Sequence, residues 1–363
     1  MLIPDDRIPD LIEQIHASPA KMVLAVTGGG SAALSRLLGI PGASASVIEA
    51  LVPYAAESLA DFLGGVPDQS CSQTTARSLA MAAFRRAGKL TEGDHLLGIG
   101  STAALATLRQ RRGADRVHIA VQDAARTIDV SYVITHGDRP EQERVACSLI
   151  ISTIGIACGL LDSQIYGEDV DVTITAGKPA WRQLIDGSAA TTAPDARPAC
   201  VFPGAFNPLH DGHRQMAAIA ERRFGERPLL EIATINVDKP PLDYAAMAER
   251  EGGVGDEFQL AFTAAPTFVE KARLFPGTSF IVGADTISRI AEPRYYQHES
   301  RLRDNAVAEI ASCGCRFLVF GRSSGSGFIG LDDIALPQAL ATICDGVPER
   351  EYRADISSSD LRR

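Results

Sequence analysis

The sequence predicts an α/β protein of two domains. Its 363 residues exceed what one ordinary core organises. In both halves, apolar runs of strand length alternate with segments of helical period. Each half also carries a glycine-rich turn that follows an apolar run and opens a helical segment, near residue 28 and again near residue 204.

The totals narrow the partners. With 35 Lys and Arg against 45 Asp and Glu, the net charge of −10 argues against general nucleic-acid binding, which needs a basic face. A small anionic nucleotide needs only a local positive pocket. The start, Met1-Leu-Ile-Pro-Asp-Asp-Arg7, lacks a basic region followed by an apolar core, and no later apolar run has the length of a membrane span, so a cytoplasmic protein without a membrane partner is expected. Seven scattered cysteines, an odd number, form neither a disulfide framework nor paired Cys-x-x-Cys zinc spacing. Cys313-Gly-Cys315 precedes an apolar run at 317–320 and reads as strand entry, with a redox or metal role as the alternative.

In the first half, strands are expected at 23–26, 95–99, 117–121 and 128–134, the last two paired as a hairpin around 123–126. A long helix runs to residue 161 after Asp138-Arg-Pro140. Thr27-Gly-Gly-Gly-Ser31 follows a strand and precedes a helix at 32–38, the geometry in which backbone amides cradle an anion. A tight strand-to-helix connection is the other reading. An edge strand is expected at 169–175, and residues 187–198 have linker composition, which divides the chain into 1–165, 166–198 and 199–363. Trp181, the only tryptophan, precedes that linker, where it packs between domains or stacks on a ligand.

The second half reads strand (199–202), turn, helix (213–224) and strand (229–237), a βαβ unit with a right-handed crossover. Ligands of such sheets bind at the carboxyl ends of strands. That rule gathers residues 204–213, Asp238-Lys239, Gly283-Ala-Asp285 and residues 357–362 at one edge. The turn Gly204-Ala-Phe-Asn-Pro-Leu-His-Asp-Gly-His213 combines a glycine that lets backbone approach a ligand, free amides at a helix start and two imidazoles, which together suit phosphate. His210 and His213 also read as a surface pair or a metal half-site. Ile356-Ser-Ser-Ser-Asp-Leu-Arg362 offers capping hydroxyls and a guanidinium that forks around phosphate oxygens, or else a plain capped helix. Lys239, stiffened by Pro240-Pro241, is a phosphate contact or a solvated turn lysine, and residues 247–257 read as a mobile loop or a surface excursion.

The two terminal motifs, in this order, resemble the glycine-rich turn with His-x-Gly-His and the C-terminal Ile-Ser-Ser-Thr-x-x-Arg of the nucleotidyltransferase superfamily. Phe280-Ile-Val-Gly-Ala-Asp-Thr286, and Asn-Pro rather than Asp-Pro in the turn, resemble the nicotinate- and nicotinamide-mononucleotide adenylyltransferases. The resemblance covers roughly residues 199–363 and implies a Rossmann-like parallel sheet. It also implies adenylyl transfer from ATP to a pyridine mononucleotide in NAD biosynthesis, with pyrophosphate released. By resemblance His210 and His213 contact the nucleotide phosphates, Ser357, Ser358 and Arg362 hold the β- and γ-phosphates, and Lys239 steadies the acceptor. Gly204, Ala205 and Phe206 supply backbone, and Asp285 binds ribose or orients its neighbours. Mg²⁺ would come with ATP, ligated by phosphate and water with no ligand from the protein. The competing functions are transfer to another phosphate acceptor and a non-catalytic pyridine-nucleotide sensor.

Residues 8–161 resemble the C-terminal domain of the competence/damage-inducible CinA family, which hydrolyses the amide of nicotinamide mononucleotide. Val26-Thr-Gly-Gly29, Ile40-Pro-Gly-Ala-Ser44, Tyr54, Val117-His-Ile-Ala-Val121 and Gly137-Asp-Arg139 carry the resemblance. It implies a CinA-like α/β domain, a nucleotide pocket at Thr27, Gly28, Gly29 and Tyr54, and self-association into a homo-oligomer. The family's Ser-Cys-Thr-Gly-Gly reads Ala25-Val-Thr-Gly-Gly29 here, and its Tyr-Ser-Asn-x-x-Lys reads Tyr54-Ala-Ala-Glu-Ser-Leu59. Without that serine and lysine, lost amidase activity is the expectation.

Overall fold

A computed structural model describes residues 3–108, 113–235, 241–324 and 327–353. The chain divides into two compact units, Met1–Arg182 with Val237–Ala246, and Gln183–Asn236 with Met247–Arg363. No described helix is long and apolar enough to cross a membrane.

In the first unit, α1 (Ile8–Ala17), β1 (Lys21–Thr27), α2 (Ser31–Gly39), the short α3 (Ala43–Ser46), β2 (Val47–Leu51), α4 (Ala56–Leu63) and α5 (Gln73–Leu90) come first. They are followed by β3 (Leu96–Ala104), β4 (Asp115–Gln122), β5 (Arg126–Ile134), α6 (Arg139–Ala157) and β6 (Asp171–Ala176). The sheet order is β2-β1-β3-β4-β5-β6, parallel from β2 to β3 and antiparallel from β3 to β6. The expected hairpin forms because the Asp123 carboxylate accepts the amides of Ala125 (2.6 Å) and Arg126 (2.8 Å), closing the turn between β4 and β5.

One sheet face buries Leu24, Val26, Ile99, Ile119 and Val130 against α1, α2 and α6. The other carries α5 directly on β3, and glycine makes that possible. A Cβ at Gly100 would stand 2.2 Å from the Ala76 carbonyl oxygen, and one at Gly98 2.1 Å from that of Ala80. Helix α6 starts where Asp138 caps the Glu141 amide and Glu141 returns a bond to the Asp138 amide. Its buried side puts Leu149, Ile150, Ile151 and Ile154 into the core and also takes in Gln142, Ser148, Ser152 and Thr153.

Helix α7 (Pro179–Ile185) leads toward the second unit. There follow β7 (Cys200–Pro203), α8 (Asp211–Phe224), β8 (Leu229–Ala233), α9 (Tyr244–Val254), β9 (Leu260–Thr263), α10 (Phe268–Leu274), β10 (Ser279–Gly283) and α11 (Ala284–Ala291). The described chain closes with α12 (Ser300–Ser312), β11 (Arg316–Phe320), a hairpin of β12 (Arg322–Ser324) and β13 (Gly327–Ile329), α13 (Gln338–Ala341) and β14 (Cys344–Val347). The main sheet runs β14-β11-β10-β7-β8-β9, every neighbouring pair parallel. From β7 the chain winds outward through β8 and β9, then returns to lay β10, β11 and β14 on the other side. The strand order therefore reverses between β7 and β10.

Two segments depart from the sequence expectation. The stretch of linker composition is partly paired: Thr192 donates its amide to Phe262 and Ala264 donates to Ala190, beside the edge strand β9. Residues 247–254, expected as a loop, belong to α9. Their alanine, methionine, glutamate and arginine favour helix, and Gly252-Gly253 sits in its last turn, which the Gly255 amide closes on the Glu251 carbonyl at 2.9 Å.

Candidate active site

Strand order reverses between β7 and β10, and in such sheets ligands bind at the carboxyl ends of the strands at that point. The turn after β7 is built around Phe206. Its backbone lies in the left-handed region at φ 42°, where a side chain costs about 1 kcal/mol or more, and the Asn207-Pro208 bond that follows is cis. The buried Phe206 ring folds back over Gly204, whose Cβ would come within 2.6 Å of it. The same ring meets Phe202 edge-on at 5.3 Å and His213 at 5.1 Å. Gly204 is fixed from behind by its amide bond to the Glu231 carbonyl in β8 (2.9 Å), and Ala205 is left exposed at the tip.

His210 ends the turn in extended backbone and His213 lies one turn into α8. Their rings stack at 3.7 Å, and the His210 amide donates to Nδ1 of His213 at 3.3 Å. That bond requires a lone pair on Nδ1, so the neutral His213 ring carries its proton on Nε2. Burial, then the neighbouring His210 and Arg214, push His213 down to about 4. Burial lowers His210 too, against the pull of Asp211. At neutral pH both rings are uncharged hydrogen-bond partners, and an arriving phosphate raises their proton affinity. As a metal half-site the pair is poor: stacked rings do not converge on one ion, and among the described residues no three His, Cys, Asp or Glu side chains are grouped to hold one. Arg214 is engaged by Asp211 and Glu257.

Across the switch point, Gly283 caps α11 and Asp285 stands in its first turn. Space beside Gly283 is open. Asp285 pairs with Arg322 at 3.0 Å, both half-exposed. Arg322 follows the carboxyl end of β11, and the sequence reading passed over it. Its position two residues beyond an apolar strand, at the carboxyl edge where ligands of such sheets bind, was the available signal. Tyr352 packs edge-on against Phe320 at 5.0 Å, with its hydroxyl 3.6 Å from where a Gly212 Cβ would lie, so the described chain ends beside the first turn of α8. Lys239, Ser357, Ser358 and Arg362 lie outside the described residues.

A second group was also missed. Glu231 is fully buried in β8, its carboxylate bonded by the buried Lys271 ammonium at 2.6 Å and by the Thr263 hydroxyl. An acid inside Leu229-Leu-Glu-Ile-Ala233 had to find a cation, but the sequence does not say which.

In the first unit, the turn of residues 27–31 is closed from within. Glu143 of α6 accepts the amides of Gly30 (2.9 Å) and Ala32 (3.1 Å) and the Ser31 hydroxyl (3.1 Å). Its carboxylate occupies the place an anionic ligand would take. The glycines serve close packing: a Cβ at Gly28, φ +77°, would sit 2.0 Å from the Ala103 carbonyl oxygen, and one at Gly29 would strike Leu105. Arg139 donates to the Gly28 carbonyl at 3.0 Å. Thr27 is buried, whereas Tyr54 is 67% exposed. Ala25 and Leu59, which stand where the CinA resemblance expects serine and lysine, are buried in one apolar cluster with Leu63 and Leu79.

No curated protein matches the chain. Among solved structures, its first part is similar to the competence/damage inducible protein CihA of Agrobacterium tumefaciens, at 20% identity over 44% of this chain and 99% of that one, with a TM-score of 0.35. CinA superfamily proteins of Escherichia coli (15% identity, 42% of this chain and 92% of that one, TM-score 0.35) and a competence or damage-inducible protein of Enterobacter asburiae (15%, 42% and 98%, 0.37) are similar as well. Residues 201–363 match the cytidylyltransferase-like family model, which makes that part of the chain cytidylyltransferase-like and similar to the nucleotidyltransferase superfamily.

Proposed function

We propose that the second unit transfers the adenylyl group of ATP to nicotinamide or nicotinate mononucleotide, giving a dinucleotide and pyrophosphate. The observation that carries this reading is the pairing of two features at one switch point: the Phe206-backed turn with stacked, neutral His210 and His213, and the Gly283-Ala-Asp285 helix start at the end of the neighbouring strand β10. An acceptor phosphate oxygen attacks the α-phosphorus in line, its bond forms as the bridge to the β-phosphate breaks, and the electron pair leaves with pyrophosphate. No covalent enzyme intermediate is needed. The chain's work is positioning and charge.

His213 offers Nε2–H to the α- and β-phosphate oxygens, and His210, at the helix start, shares that anion. The exposed backbone at Ala205 and the amides that open α8 complete the cradle. Arg322, held by Asp285, brings a cation to the same edge. Lys239 is assigned to the acceptor phosphate, and Ser357, Ser358 and Arg362 to the β- and γ-phosphates. Mg²⁺ would enter with the triphosphate, neutralise part of its charge and take its ligands from phosphate and water. The first unit, with an apolar cluster at Ala25 and Leu59 and Glu143 in its amide cradle, is proposed to hydrolyse no amide. A cytoplasmic homo-oligomer is part of the same proposal.

The test is pyrophosphate release with ATP and Mg²⁺ against nicotinamide mononucleotide, nicotinate mononucleotide and pantetheine phosphate, with products identified by mass. A dinucleotide from either pyridine substrate supports the assignment. Reaction with pantetheine phosphate alone would replace it.

A further inference from the structure

Strand β6 closes the first unit's sheet on one side, and among the described residues no further strand pairs with its outer edge. Its residues, Asp171-Val-Thr-Ile-Thr-Ala176, pair with β5 without a register shift, from Ser131 opposite Asp171 to Arg126 opposite Ala176. Edge strands are ordinarily blunted by lysine, proline or a bulge. This one carries none of them, and its single charge, Asp171, stands at its start. Asp171, Thr173, Ile174 and Ala176 are exposed.

An apolar row of the core runs straight to this edge. Leu24 of β1 stands beside Ile99 of β3, Ile99 beside Val121 of β4, Val121 beside Ile128 of β5, and Ile128 beside Ile174 of β6. The first four are fully buried, whereas Ile174 is 42% exposed. Val172, on the same face of β6, packs in part against that core. The opposite face presents Asp171, Thr173 and Thr175, all polar. Such a strand is complementary to itself. Set antiparallel to a second copy about a two-fold axis through Thr173, it places Val172 opposite the second copy's Ile174, which continues the apolar row. It also places the Asp171 carboxylate opposite a Thr175 hydroxyl and Thr173 opposite its own counterpart, with no like charges facing each other.

We propose that β6 is the surface on which two copies of this chain pair, antiparallel and edge to edge, joining their two six-stranded sheets into one. The inference deepens the homo-oligomer of the proposed function by naming its surface, and it rests on no catalytic assignment. The ladder is short, so the dimer should form at micromolar concentrations.

Sedimentation of the full-length chain from about 2 to about 200 µM tests it, and the wild type should pass from monomer to dimer across that range. Thr173→Lys sets two ammonium groups against each other at the axis and should weaken dimerisation about tenfold or more. Because Thr173 is exposed, circular dichroism and the melting temperature of that variant should stay those of the wild-type monomer. Thr173→Cys should form an intermolecular disulfide between the two copies of residue 173, identified by the mass of the linked peptide, since directly opposed residues of antiparallel strands stand within disulfide reach. Asp171→Cys, whose counterpart lies four residues along the ladder, should not link to itself. A monomer throughout the range would overturn the pairing, and the proposed homo-oligomer with it. An oligomer that Thr173→Lys leaves at wild-type strength, with no 173–173 link in Thr173→Cys, would keep the homo-oligomer, place its interface elsewhere and overturn this inference alone.

Discussion

The His210 amide donates to Nδ1 of His213 at 3.3 Å while the two rings stack at 3.7 Å, so backbone geometry fixes which nitrogen of His213 faces outward as a donor. A side chain preset in this way loses little freedom when a phosphate arrives. His213→Ala should lower kcat by about 10² or more, the scale of losing one group that meets developing charge. Circular dichroism should show an intact fold, because α8 keeps its buried Met216, Ile219 and Ala220. A rate near that of the wild type would remove His213 from the reaction.

The same ring predicts an acid response. Its folded-state value, about 4, lies below the unfolded 6.5. For a depressed group, the stabilising contribution is present above 6.5 and is lost as pH falls through the folded value. Denaturant midpoints should therefore drop between pH 6.5 and 4, with a single-site ceiling of roughly 3 kcal/mol. His213→Gln should flatten that slope. An equal slope in the variant would assign the acid sensitivity to other groups.

Asp129 predicts the opposite sign. Burial chiefly, and Asp243 nearby, raise it to about 7, against the pull of Arg77. A raised carboxyl contributes stability that is full below 3.8 and lost as pH rises through 7. Asp129→Asn should remove a decline in first-unit stability as pH rises from about 4 to about 7, read by fluorescence of Trp181, which packs against Tyr244 in the same unit.

What the sequence disclosed and what it hid divide along sequence distance. The turn of residues 204–213 was legible because glycine, Asn-Pro and two histidines act within ten residues. Strands β1, β4 and β5 were legible because their apolar runs are short and bounded. Glu143 closing the 27–31 turn was not, since its partners lie more than a hundred residues away and it looks like any helix-surface glutamate. Nor was Asp243, whose partner Arg77 lies far earlier in the chain, in helix α5. Helix α9 was hidden by Gly252-Gly253, local signals for a turn that tertiary packing of Tyr244 and Met247 overrode.

Lys271 and Glu231 give a prediction about the transferase sheet. Both are buried, and their 2.6 Å contact joins α10 to β8, whose Glu231 carbonyl also fixes Gly204. Lys271→Met leaves a buried carboxylate without its cation and should cost about 3–5 kcal/mol. The double variant Lys271→Met with Glu231→Leu should recover most of that loss, because an apolar pair of similar volume needs no compensation. Urea midpoints for the two variants decide it. A double variant no more stable than the single would show that Glu231 has a further role at this position.

Ala25 and Leu59 lead to the last expectation. They lie in one apolar cluster with Leu63 and Leu79, so neither a nucleophile nor a base occupies the places where the CinA resemblance expects them. Serine attack on an amide needs both, the base to remove the hydroxyl proton as the carbon–oxygen bond forms. The full-length chain should therefore release no ammonia from nicotinamide mononucleotide. Ala25→Ser alone should stay silent, since Leu59 still supplies no base, and it should lose about 1–3 kcal/mol for a hydroxyl buried among apolar side chains. Ammonia release by the wild-type chain, abolished by Thr27→Ala or Ser31→Ala, would move the nucleophile into the 27–31 turn. It would also require the Glu143 carboxylate to leave the amides it now occupies.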